Sequence, residues 1–231
     1  MTQSDFAGDR IAASRHRAIA IVCALLAAAS LHAAPPQPTT VTTATVSVPA
    51  ELASPIAAAL TPNAVTVTTG TTKIEFWWLK ALPLRPGATG APSWADVSDG
   101  ALVGAMRLSA NWSDIRGYTI RPGVYTLRFA LQPQNGDHLG ISPGREFLLP
   151  GPAAADLTVE PVGYDGAVAL ASKSSRRAHP ASIAIDPAIS TAAALSATAN
   201  DLGHQVVIVS VQTSAGAPLT FGVVVAGTID H

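Results

Sequence analysis

The chain has 231 residues, a net charge of −1 and only 13% charged residues. That balance excludes the strongly basic footprint of a nucleic-acid binder and the acidic run of a polycation carrier. A single cysteine among 231 residues excludes a disulfide framework, so stability must come from a hydrophobic core.

The N-terminus carries a targeting signal. Arg10, Arg15 and Arg17 precede an uncharged apolar run from Ala18 to Leu31, followed by small residues and Pro35-Pro36. A basic region, a short apolar region and a small-residue site compose a secretory signal peptide. The 14-residue run is short of the roughly 20 residues that span a bilayer, so no stable membrane span is expected after cleavage. Cleavage is expected after Ala33, giving a periplasmic or secreted product. His16 separates Arg15 from Arg17, against a twin-arginine signal. Cys23 lies inside the apolar run rather than at the cleavage point, against lipidation. Removal of residues 1–33 takes three arginines, two aspartates and the cysteine. It leaves 198 residues with 11 Lys+Arg against 13 Asp+Glu. Residues 34–42, rich in Pro and Thr, read as a flexible linker, and residues 43–231 as one domain.

Beyond the linker, apolar runs alternate with turn residues. Thr43–Val48 and Ala64–Thr69 are β-branched and strand-like. From Lys73 to Leu79, Ile74, Phe76 and Trp78 share one face, while Lys73, Glu75 and Trp77 share the other. Ala101–Leu108 groups Leu102, Met106 and Leu108. Val124–Gln132 is the clearest strand, with Tyr125, Leu127, Phe129 and Leu131 on one face and Thr126, Arg128 and Gln132 on the other. A period of two with one apolar face marks a half-buried strand. Asp165–Ser175 predicts a short helix, with Asp165 near its start. Gln205–Val211 and Leu219–Ala226 are apolar at both parities, as strands buried on both faces are, and Thr213–Pro218 joins them as a hairpin link. The expected fold is therefore all-β: an antiparallel β-sandwich with one short helix.

Chemistry-bearing residues are sparse. Gly140-Ile141-Ser142-Pro143-Gly144 matches the pattern of a hydrolase nucleophile elbow. That elbow needs a backbone N–H from the residue after the serine, which Pro143 lacks, so the segment reads as a turn. Asp137 and His138 sit in a polar turn and, with the distant His179, form a candidate metal site for a metal-binding protein or metal-assisted hydrolase. No close histidine spacing of a zinc motif accompanies them. Arg116 and Arg128 are candidate anion ligands near Asp114, or members of ion pairs. Trp77, on the polar parity of its strand, is either a ring for sugar stacking or a ring covered by a neighbouring segment.

The segments Asp99-Gly100-Ala101-Leu102-Val103-Gly104, Asp114-Ile115-Arg116-Gly117, Pro122 to Arg128 and Gly136-Asp137-His138-Leu139-Gly140 resemble a family of uncharacterised exported bacterial proteins. The resemblance covers about a quarter of the chain. It implies export and a β-domain, with no known activity and no functional residue to carry over. The expected function is a non-enzymatic binding or structural module, without cofactor or nucleic acid, whose partner is a protein or a small ligand.

Overall fold

The computed structural model describes residues 39–133, 144–175, 179–186 and 194–229. Twelve strands and two α-helices follow in order: β1 (Thr39–Thr45), α1 (Ser54–Ala59), β2 (Asn63–Thr69), β3 (Thr72–Trp78), β4 (Leu102–Leu108), β5 (Trp112–Ser113), β6 (Thr119–Ile120), β7 (Gly123–Leu131), β8 (Glu146–Pro152), α2 (Gly163–Ser175), β9 (Ile183–Asp186), β10 (Ser196–Ala199), β11 (Gln205–Gln212) and β12 (Pro218–Ala226). The strands expected from alternation are β3, β4 and β7, those expected from apolar character at both parities are β11 and β12, the β-branched Ala64–Thr69 lies in β2, the strand expected over Thr43–Val48 ends at Thr45 of β1, and the expected helix is α2. β1 begins at Thr39, inside the segment expected to be linker.

The antiparallel β character holds, but the sandwich does not. Ten strands form one sheet in the order β1-β2-β3-β4-β7-β8-β9-β12-β11-β10, every paired neighbour antiparallel. β5 and β6 make a separate small hairpin within the β4–β7 connection. The sheet curls until Cα atoms of its two edges, β1 and β10, come within 8 Å of each other. The result is a nearly closed, barrel-like sheet. Alternation along a strand defines an inner face in either architecture. What separates them is whether one continuous ladder carries all the inner faces, which is a long-range property.

The inner faces merge into one core. Ile74, Phe76 and Trp78 of β3 meet Leu127 and Phe129 of β7 and Phe221 and Val223 of β12 in a single buried cluster. A chain of rings crosses it. Phe76 stacks on Trp78 at 5.3 Å, Trp78 meets Phe221 edge-on at 5.6 Å, Phe221 meets Trp94 at 4.8 Å, and Trp94 stacks on Phe129 at 4.8 Å. Gly104 permits the close β3–β4 approach, since a Cβ there would lie 2.5 Å from the Trp77 carbonyl oxygen. Aromatic side chains thus occupy the middle of the barrel, as in other small barrels filled by their own residues.

The outer face is covered in patches. Asp165 in its first turn and Lys173 in its last complement the dipole of α2. Its one-turn-apart Ala167 and Ala171 pack on Ala130 of β7 and Leu149 of β8. Ile115 and Ile229 cover Ala184, Val206 and Val224 of β9, β11 and β12. Among the described residues, no helix is long and apolar enough to cross a membrane.

Candidate functional site

With aromatic rings filling the interior, the cavity that brings candidate residues together lies outside the barrel, where the coverings leave a gap. Its floor is the outward parity of β7 and β8. Ala130 pairs with Phe147, and Leu149 stands one outward position along from Phe147. Val168 of α2 forms one wall and Ile115 another. The cavity encloses about 250 Å³, just below the roughly 300–1,000 Å³ of drug-sized ligand pockets. Arg116, Tyr164, His179 and Ser182 bring polar groups to these apolar walls.

Arg116 is held there by the turn of the β5–β6 hairpin. Asp114 is 2% exposed. Its Oδ1 accepts the backbone N–H groups of Arg116 and Tyr118, both at 2.9 Å, and fixes the turn. Its Oδ2 accepts Arg116 Nη2 at 2.9 Å and Nε at 3.2 Å, and the Ser182 N–H at 3.1 Å. Arg116 Nη2 also donates to the Pro180 carbonyl at 2.9 Å and to Ser182 Oγ at 3.0 Å. Hairpin and β9 approach are thereby clamped together, and the guanidinium lies 4.9 Å over the Tyr118 ring. Nη1 is the one nitrogen of this guanidinium without a hydrogen bond among the described residues. Burial pushes the Tyr164 phenol above its ordinary value, and the nearby charges of Asp165 and Asp99 push it the same way. The phenol therefore stays neutral and able to donate. Ser182 Oγ accepts from Arg116, a geometry for positioning rather than for attack.

Two of the residues expected from sequence, Arg116 and His179, thus line one cavity. Trp77 and Arg128 do not join them. Trp77 is fully buried on the outer face of β3. Its Nε1 donates to the Val46 carbonyl at 3.1 Å, and the Arg107 guanidinium lies 5.3 Å from its ring centre, so the ring has no face to offer a sugar. Arg128 is 1% exposed and pairs with Asp156 rather than Asp114, its nitrogens all engaged internally. Asp137, His138 and residues 140–143 of the elbow-like segment lie outside the described residues. Among the described residues, no group of three or more His, Cys, Asp or Glu is placed to hold a metal ion. Sequence reasoning missed Tyr164 and Ser182. The one available signal was the apolar character of both parities across Phe147, Leu148 and Leu149, which marks an outer face that something covers.

Comparison with protein-family models, curated protein sequences and solved structures finds no match. The site is therefore read from its geometry.

Proposed function

We propose that the chain is an exported, non-enzymatic binding domain whose cavity between α2, β7–β8 and the β5–β6 hairpin holds a small amphipathic molecule. Its apolar body rests on Ala130, Phe147, Leu149 and Val168, and its hydrogen-bond-accepting or anionic head faces Arg116, His179 and Tyr164. Export rests on the basic and apolar segments before Ala33. The observation that carries the binding reading is the meeting of apolar walls with these few polar groups in one cavity. Asp114 already offsets the Arg116 charge, so an acceptor head suffices and full charge adds a smaller gain.

Calorimetric titration with sodium octanoate tests the reading. Saturable binding is expected, and Val168→Trp, which fills the cavity from α2, is expected to weaken it at least about tenfold while leaving the melting temperature within a few degrees. Absence of saturable binding, or equal affinity in Val168→Trp, would refute the assignment.

A further inference from the structure

A second cleft lies where the β5–β6 hairpin, the start of β7 and the last turn of α2 meet. It encloses about 530 Å³, within the roughly 300–1,000 Å³ of small-molecule sites. Its lining differs in kind from that of the first cavity. Arg121 and Lys173 stand on it with Asn111, Thr119 and Ser175, and among the described residues no carboxylate lines it. Both cations are unmatched. Lys73, Arg107, Arg116 and Arg128 pair with carboxylates, and Lys80 and Arg145 donate to backbone carbonyls. Among the described residues, the side chains of Arg121 and Lys173 have no partner of either kind. The sequence after Ser175 runs Arg176-Arg177-Ala178, which carries further positive charge and no carboxylate.

Each cation is carried by a fixed piece of backbone. Tyr125 Oη donates to the Arg121 carbonyl at 2.8 Å, which ties the Pro122-Gly123 turn to the first residues of β7. Ser174 Oγ donates to the Pro150 carbonyl at 2.6 Å and anchors the last turn of α2 on β8. Lys173 and Ser175 flank that anchor. Ser172 of the same helix returns its hydroxyl to the Val168 carbonyl at 2.9 Å, whereas Ser175 Oγ has no hydrogen-bond partner among the described residues. Rotation about χ1 would offer that hydroxyl to an acceptor in the cleft. The C-terminal end of a helix repels anions, so an anion held here depends on the side-chain charges, and Lys173 offsets the dipole.

We propose that this cleft binds a phosphorylated sugar or polyol, with the phosphate between Arg121 and Lys173 and the hydroxyl groups against Asn111, Thr119 and Ser175. Two unmatched cations from separate elements reach one oxyanion together, Arg121 as a planar fork and Lys173 as a point charge. The rest of the polar lining consists of hydroxyl and amide groups, which both donate to and accept from sugar hydroxyls. The first cavity has apolar walls and an arginine already offset by Asp114, so the two sites take different ligands.

The test is calorimetric titration of the purified full chain with glucose 6-phosphate and with inorganic phosphate, at physiological ionic strength, where attraction to distant charges is screened. Glucose 6-phosphate is expected to bind saturably, and inorganic phosphate at least about tenfold more weakly. Arg121→Gln and Lys173→Gln are each expected to weaken glucose 6-phosphate about tenfold while leaving the melting temperature within a few degrees. The Tyr125 anchor survives the first change, because it holds the Arg121 main chain. Arg85→Gln removes an exposed cation outside the cleft and is expected to leave binding unchanged. Absence of saturable glucose 6-phosphate binding, or a loss in Arg85→Gln equal to that of the two cleft variants, would overturn the proposal. So would inorganic phosphate binding as tightly as glucose 6-phosphate, since the hydroxyl and amide groups of the lining would then contribute nothing.

Discussion

Removal of Asp156 isolates Arg128, the largest fully buried charged side chain among the described residues. Arg128 and Asp156 are 1% and 2% exposed. The guanidinium donates to the carboxylate from Nε and Nη2, each at 2.7 Å, and Thr126 Oγ1 donates to the same carboxylate at 2.6 Å. The remaining donors reach the carbonyls of Gly100, Thr158 and Glu160. Asp156→Ala leaves a cation buried with three neutral dipoles and no counter-charge. Breaking a buried pair on one side costs about 3–5 kcal/mol, a large share of the roughly 5–15 kcal/mol that holds a domain together. Urea titration should therefore show a much lower midpoint at unchanged slope. The double variant Arg128→Met/Asp156→Leu removes both charges and should recover at least half of the loss, the remainder coming from the three carbonyls left without donors. A cost below about 1 kcal/mol for Asp156→Ala would mean that water reaches the pair, and the argument from desolvation would fail.

Phe129→Ala, at a fully buried ring stacked on Trp94, should cost about 3–5 kcal/mol in the same titration, and a mild effect would refute the inward placement of β7. Burial alone would raise the Glu75 carboxyl, but the hydrogen bonds and charges of Lys73 and Arg107 outweigh it and hold it below its ordinary value of 4.5. The stability it contributes is then fully present above pH 4.5 and lost as pH falls through the depressed folded value, so the gap between the native chain and Glu75→Gln should close on acidification. Expressed in a Gram-negative host, the chain should reach the periplasm shortened by about 33 residues, and intact mass in the membrane fraction would contradict that. A product so shortened would lack Cys23, the one cysteine of the sequence, and its melting temperature should not respond to dithiothreitol.

Strands with one apolar parity were legible because their pattern is local. Tyr125, Leu127 and Phe129 join the inner cluster and the half-buried Leu131 packs against it, as their alternation requires. The C-terminal hairpin was equally legible, since β11 and β12 are apolar on both parities and the Thr213–Ala217 turn closes between them. β10 was not. Ser196–Ala199 is a four-residue edge of small side chains, and what makes it a strand is its register against Gln205–Ile208. Closure of the sheet was hidden for the same reason, because no single strand records which strand becomes its far neighbour. The cavity was half legible. Arg116 and His179 were singled out as charged or titratable residues, whereas the apolar walls needed the packing of α2 against β7–β8.

The residues on polar parities carry the more general point. Trp77, Thr126 and Arg128 all lie on the polar parity of their strands, and all three are buried, Trp77 within the main hydrophobic cluster. Parity says which face of the sheet a side chain takes; it does not say what lies on that face. Two connections cover them: the chain leaving β1 at Val46 covers Trp77, and the segment from Asp156 to Glu160 covers Arg128 and Thr126. The interior, filled by the ring chain from Phe76 to Phe129, leaves ligand binding to the places where coverings stop short of each other. One such place is the gap between α2 and the β5–β6 hairpin. There the outer face of the sheet is apolar and the polar groups come from the coverings, the combination on which the proposed binding of a small amphipathic molecule rests.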